Sequence, residues 1–152
     1  MAASAIKEEG PAGFRSARQM RRLLDDVLTD IDDDPVDGPR LRAAAAPLRL
    51  EFTDLKLKVD ISAATDRKDH CLVWSFSKRS QVKPGLHLTM DSTVGNRFLQ
   101  GKENPAIALV RGRMRASTSE AGAALRFFPA AKPLFAHYRK ALERDYPQML
   151  LD

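Results

Sequence analysis

Between Leu48 and Met90 the chain alternates apolar and polar residues in four separate runs, and that period of two demands a sheet. Leu48, Leu50 and Phe52 alternate with Arg49 and Glu51, and Leu55, Leu57, Val59 and Ile61 with Lys56, Lys58 and Asp60. His70, Leu72, Trp74 and Phe76 share a face opposite Cys71, Val73 and Ser75. Leu86, Leu88 and Met90 alternate with His87 and Thr89. Successive strand side chains point to opposite faces, so strands are predicted over Leu48–Phe52, Leu55–Ile61, His70–Phe76 and Leu86–Met90. One dry face and one wet face fit an antiparallel or mixed sheet, not an all-parallel one. Thr53-Asp54 predicts a tight hairpin between the first two strands. Polar loops are expected at Ser62–Asp69 and Ser77–Gly85.

Upstream, Met20, Leu23, Leu24, Val27, Leu28 and Ile31 recur at steps of three and four. That spacing makes one apolar helical face between Phe14 and Asp33. The helix carries Arg15, Arg18, Arg21 and Arg22 early and Asp30 and Asp32–Asp34 late, against the helix dipole. Pro35, Gly38 and Pro39 end it, and Leu41–Ala46 predicts a short helical turn stopped by Pro47. Residues 1–13 are expected to form a loose tail, and residues 14–152 a single domain.

Downstream, Asp91–Ser117 reads as two short helices and a strand. Asp91 is suited to cap a helix start, and Gly101 to end that helix in a left-handed conformation. Asn104-Pro105 restarts the chain as N-cap and first helical residue, and Ala106–Leu109 is one more apolar turn. Val110, Gly112, Met114 and Ala116 then alternate with Arg111, Arg113 and Arg115, which predicts a fifth strand over Val110–Ala116 with the arginines outward. A glycine mid-strand on the apolar face marks a bulge or a close approach. Ser117–Glu120 reads as a turn and cap, Ala121–Phe128 as a helix with Leu125 and Phe128 on one face, and Leu134, Phe135, Tyr138 and Leu142 as a final helix to about Arg144.

Gly101-Lys102, Asn104-Pro105, Ala108 and Gly112-Arg113-Met114-Arg115, preceded by the apolar Val94, Phe98 and Leu99, together resemble the signature of the sterol carrier protein type 2 family of lipid-binding domains. The pattern of elements from Leu48 to Arg115 agrees with it, whereas Ser117–Glu120 replaces the Gly-Asp or Gly-Asn that commonly follows the fifth strand. The resemblance implies an α+β fold: a twisted five-stranded sheet, mostly antiparallel or mixed, with helices on one face and an apolar tunnel between the layers. The element order read from the residues leads to the same two layers.

A composition of 43% hydrophobic and 30% charged residues is that of a soluble globular protein. No apolar run approaches the roughly 18 residues of a membrane span. Lys7, Glu8 and Glu9 stand where a secretory signal would be apolar, and the chain ends in Leu150-Leu151-Asp152, without the peroxisomal address of some family members. A lone Cys71 fits a reducing compartment. A cytoplasmic location is therefore expected. Net charge is +5, unevenly spread: residues 1–37 hold nine acids and five bases, and the remainder eleven acids and twenty bases. Such an excess suits a solvated surface, with transient contact to anionic membranes. Stacking aromatics do not interleave with the bases, which argues against nucleic acid.

Residue chemistry predicts no enzyme, cofactor or metal. His70, His87 and His137 have no ligand partner at metal spacing, and the neighbouring His70 points to the opposite strand face from Cys71. Nucleotide-loop and hydrolase motifs are absent from the sequence. The apolar side of the sheet and helices supplies Phe52, Trp74, Leu88, Met90, Phe98, Leu99, Ile107, Gly112, Met114, Leu125, Phe128, Phe135 and Tyr138. Periodicity alone makes these a core. The resemblance makes them the wall of a tunnel for a hydrophobic small molecule: a fatty acid, an acyl-CoA or a sterol-like lipid. An Ala- and Arg-rich composition suggests a GC-rich bacterial source, which favours a fatty acyl ligand. The alternative reading is an interaction or regulatory module of a metabolic pathway, whose apolar interior is only core.

Overall fold

A computed structural model describes residues 14, 16–44, 47–64, 71–79, 83–118 and 123–151. Helices α1 (Ala17–Asp33) and α2 (Asp37–Ala44) lead into strands β1 (Leu48–Phe52), β2 (Leu57–Ala63), β3 (Leu72–Ser75) and β4 (Leu86–Met90). Helices α3 (Ser92–Leu99) and α4 (Pro105–Val110), strand β5 (Met114–Thr118), helices α5 (Ala123–Ala130) and α6 (Lys132–Asp145) and a 3-10 turn (Pro147–Met149) follow. The expected tail over residues 1–13, His70 and residues 119–122 lie outside the described residues.

The sheet has five strands in the order β3-β2-β1-β4-β5. Only β1 and β4 run parallel, with Leu48 against Leu86 and Phe52 against Met90; the other neighbours are antiparallel. Alternation places the apolar residues of β1 and β4 under the helices, with Leu48, Leu50, Phe52, Leu86, Leu88 and Met90 all buried. Charged residues pair across the other face. Arg49 stands opposite Asp60 and donates to it from Nε at 2.6 Å, and His87 Nε2 lies 2.8 Å from Glu51 Oε1.

The packed face of α1 contains all six apolar residues of its expected stripe, each at most 1% exposed. Its reversed charges cost about 0.3–1 kcal/mol each where they lie near an end. The late acids offset this by serving neighbouring elements. Asp32 Oδ1 accepts the backbone N–H groups of Cys71 (2.6 Å) and Leu72 (2.9 Å), which fixes the start of β3. Asp34 Oδ1 accepts those of Val36 and Asp37 and opens α2. These two hydrogen bonds, Asp37's first, hold the Asp34 carboxyl below its ordinary range. Helix α2 thus begins before Gly38 and Pro39.

Three expectations need correction. The β1–β2 connection is a four-residue turn, Thr53–Lys56, so Leu55 lies in the turn. The fifth strand begins at Met114, because α4 continues through Val110. Gly112 therefore lies between helix and strand, at φ +75°, exposed, with open space where a Cβ would stand. Its N–H donates to Leu109 O and that of Arg113 to Ala108 O, the paired hydrogen bonds of a helix-terminating glycine. The close approach assigned to Gly112 occurs instead at Gly95, where a Cβ would lie 2.5 Å from Phe52 Cε1; α3 rests on β1 there. Gly112→Ala should lower stability by about 1 kcal/mol through its left-handed backbone. Parallel thermal melts and ligand titrations should show that loss with ligand affinity unchanged.

Candidate functional site

The segment from α3 to α4 is pinned by hydrogen bonds at its joints. Asp91 caps α3 by accepting Val94 N–H at 2.8 Å. Asp54 accepts the backbone N–H and the hydroxyl of Ser92, at 2.7 and 2.6 Å, and ties the β1–β2 turn to the same helix start. Gly101, at φ +74°, ends α3, with Gly101 N–H donating to Phe98 O and Lys102 N–H to Arg97 O. Asn104 Oδ1 caps α4 on Ala106 and Ile107, and Pro105 takes the first helical position. Glu103 locks the two helix ends together, accepting from Arg97 Nε at 3.0 Å and Arg113 Nη2 at 2.7 Å. Burial alone would raise the Glu103 carboxyl, but the hydrogen bonds from Arg113 and Arg97 outweigh it and hold it below the usual value.

This loop forms one lip of an open cleft of about 410 Å³, closed on the other side by Phe98, Phe128 and Phe135. The three rings come from α3, α5 and α6. Phe98 meets Phe128 edge to face with centroids 6.2 Å apart, and Phe135 at 5.4 Å. Edge-to-face pairs add about 0.5–1.5 kcal/mol beyond burial, so the rings hold one another in place. Phe98 is buried, while Phe128 and Phe135 are half-exposed toward the cleft. Lys102 stands exposed on the lip.

The other residues expected at a ligand site separate into groups. Phe52, Leu88, Leu99, Met114 and Tyr138 are at most 1% exposed, and Met90 is 3%; all six belong to the continuous core. Trp74 is only half-buried: it sits on the edge strand β3, and its indole N–H reaches out to Asp25 Oδ1 at 2.8 Å. Ile107 is 46% exposed on α4, because a helix of six residues buries only Ala108. Gly112 lines a separate polar cleft with Arg97, Arg113 and Arg115. Leu125 lies in α5, and its side chain is outside the described residues. Of the three arginines expected outward, Arg111 and Arg115 are exposed and Arg113 is half-buried under Glu103.

A polar feature beside the cleft escaped the periodicity argument. Asn96 of α3 and Gln100, which caps the end of that helix, lie one turn apart, both buried. Asn96 Oδ1 accepts the Tyr138 hydroxyl at 2.8 Å and Gln100 Nε2 at 3.1 Å. Both side-chain amides donate to Met149 O, and Gln100 Oε1 accepts Leu151 N–H and Arg139 Nη1. Burial pushes the Tyr138 phenol up, so it stays a neutral donor. The network straps residues 149–151 across α3 and fixes α6 to it. The signal in the sequence was a pair of amides at i and i+4, on the same side of the helix as its apolar residues.

Away from the aromatic cleft, His137, Asp37 and Asp34 form a half-buried cluster whose side-chain ligand atoms lie within 4.8 Å of one another. His137 Nε2 lies 3.0 Å from Asp37 Oδ2 and 3.9 Å from Asp34 Oδ2, joining α6 to α2, and Cys71 is a half-buried free thiol.

These features define an α+β domain with a mixed five-stranded sheet, helices on one face and an aromatic cleft within the helical layer. That fold is the fold of sterol carrier protein 2. A crystal structure of sterol carrier protein 2 superposes with a TM-score of 0.50 at 15% identity, over 78% of this chain and 95% of the other. A conserved hypothetical protein from Thermus thermophilus, described as a candidate sterol carrier protein, gives 0.54 at 13% identity, over 79% and 86%. The inverting sec-alkylsulfatase Pisa1 from a Pseudomonas species gives 0.51 at 14% identity over 68% of this chain, which spans only 15% of that enzyme's length. No protein-family model and no curated protein match the chain. No helix among the described residues is long and apolar enough to cross a membrane.

Proposed function

We propose that the protein is a non-enzymatic carrier that shields the apolar chain of a lipid in the cleft between α3, α5 and α6. The observation that carries this reading is the convergence of Phe98, Phe128 and Phe135, from three separate helices, on an open cleft of about 410 Å³. Small-molecule sites typically enclose about 300–1,000 Å³ and are lined by apolar and aromatic side chains. The likeness of fold to proteins named sterol carrier proteins supports the same class of cargo. Binding needs few directional contacts. At about 0.8 kcal/mol per buried methylene, a chain of about fourteen carbons gains roughly 10 kcal/mol gross. Broad selectivity among acyl chains follows, with a fatty acid, an acyl-CoA or a sterol-like lipid as candidates and a fatty acyl group preferred.

Lys102 on the lip is placed to meet the anionic head of such a ligand, and the exposed Lys132 and Lys140 of α6 to meet an anionic membrane during loading. Phe52, Leu88, Met90, Leu99, Met114 and Tyr138 are reached only by a tail that parts the helices from the sheet.

The test pairs extraction and mass spectrometry of the purified protein with titration of a fluorescent fatty acid. Phe135→Asp puts a charge on the cleft wall, and affinity should fall at least about tenfold, the equivalent of about 1.4 kcal/mol. Because Phe135 is half-exposed, folding should suffer little by circular dichroism. A well-folded variant that binds like the parent would exclude this cleft as the lipid site.

A further inference from the structure

The arginines at the start of α1 oppose the helix dipole, and their position in the fold suggests what they serve. Arg18, Arg21 and Arg22 line an open cleft of about 730 Å³, faced by Lys56 and Lys58 from the β1–β2 turn and the start of β2, and by Lys78 beyond β3. Three stretches distant in sequence therefore bring six cations to one concavity. None of the six takes part in an ion pair among the described residues. Asp25, the one carboxylate on the wall, already accepts the Trp74 indole N–H at 2.8 Å.

The arrangement is partly pre-set. The Arg21 guanidinium lies over the Phe76 ring, 5.1 Å from its centroid, which limits its freedom. Lys56 holds φ +52°, a left-handed backbone that a lysine rarely adopts. Strained positions concentrate at functional sites. Leu55, Leu57 and Phe76 give the cleft an apolar floor, where field lines from the cations concentrate.

We propose that this cleft binds a compact ligand carrying two or more adjacent phosphate groups. A single carboxylate would neutralise one of six charges, whereas linked phosphates answer several at once. The arginine fork matches phosphate oxygens two at a time, and lysine adds point charges. The volume suits a small molecule rather than a long strand, and the Phe76 face that a base would need is taken by Arg21. The phosphates can belong to a soluble compound of the nucleotide or polyphosphate class or to a phosphorylated lipid headgroup. The site shares no lining residue with the aromatic cleft, so it stands or falls independently of the carrier function.

Calorimetry of the full chain at about 0.1 M salt, where charges are screened beyond about 10 Å, decides the matter. The probes are tripolyphosphate, ATP, orthophosphate, a short single-stranded oligonucleotide, and phosphatidylcholine vesicles with and without phosphatidylinositol bisphosphate. Tripolyphosphate or ATP should bind one to one, at least about tenfold tighter than orthophosphate. Binding only to the bisphosphate vesicles upholds the site and assigns the phosphates to a headgroup. Arg21→Gln and, separately, Lys56→Gly should each weaken that binding at least about tenfold. The second also relieves the left-handed backbone, so its thermal stability should hold. An Arg40→Gln/Arg42→Gln control at exposed positions of α2 should bind like the parent. The proposal fails if neither phosphate source binds, if the control weakens binding as much as the cleft variants, or if the oligonucleotide binds tighter than tripolyphosphate.

Discussion

Phe98→Ala should lower the stability of the domain by about 3–5 kcal/mol, the usual cost of emptying a buried phenylalanine site. The ring is 1% exposed and is the common partner of Phe128 and Phe135, so its removal takes two edge-to-face contacts as well as its own burial. The surroundings have little room to collapse. Gly95, on the same helix, already lies against Phe52, and the end of α3 is fixed by Gly101 and Glu103. Against a typical net stability of about 5–15 kcal/mol the loss is a large fraction. Urea denaturation should show a lower midpoint at unchanged slope, and thermal melts a Tm roughly 10 °C lower. Phe98→Leu keeps much of the volume and should recover more than half of the deficit. A loss below about 1 kcal/mol in Phe98→Ala would mean that the ring is not the keystone of the aromatic cluster.

Much of the sheet was legible because period two survives any tertiary arrangement that buries one face. Leu48–Phe52 and Leu86–Met90 have the expected limits, and they pair in register as parallel neighbours. The fifth strand was misplaced for a physical reason. Val110 to Ala116 alternates apolar and basic residues, but a helix already nucleated at Asn104-Pro105 gains a hydrogen bond with each added residue and runs on to Val110. Gly112 then plays the role that Gly101 plays eleven positions earlier: each follows a short helix, precedes a base and takes a positive φ. Reading the two Gly-base pairs as the same signal would have located both helix ends.

The candidate site was legible in composition and not in geometry. Phe98, Phe128 and Phe135 stood out as apolar helical positions, yet which of the thirteen expected wall residues would meet at an open surface depends on interhelical packing. Trp74 shows the limit well: its alternation phase was right, since it pairs in register with buried Ile61, but β3 is an edge strand and leaves the indole half-covered. Charge placement was equally hidden. The reversed α1 charges acquire a meaning only once Asp32 is seen at the start of β3 and the arginines opposite Lys56 and Lys58.

Packing separates α6 from α5 as candidates for a lid over the cleft. In α6, Leu134, Tyr138, Ala141 and Leu142 are at most 1% exposed, Tyr138 is hydrogen-bonded to Asn96, and Arg139 holds Leu151 O at 3.0 Å. Opening it would break a buried polar network at about 1–3 kcal/mol for each group left unpaired. Helix α5 is eight residues long and contains Pro129, which cannot donate a backbone hydrogen bond. Short helices of this kind open locally at low cost. Since Phe128 of α5 lines the cleft, α5 is the expected gate for a lipid chain. At a free ligand concentration of about 100 Kd, binding stabilises the closed form by about 2.7 kcal/mol. Amides of α5 that exchange by local opening should then slow by about a hundredfold on fatty acid loading. Those of α6 from Leu134 to Leu142 should change several-fold at most, because their exchange is already limited by the packed network. Hydrogen exchange with mass spectrometry on delipidated and loaded protein measures both segments at once. If α6 gains the greater protection, the lid is the terminal helix and its polar strap is the latch. If neither segment changes while lipid is bound, the chain enters elsewhere and the aromatic cleft is part of the scaffold.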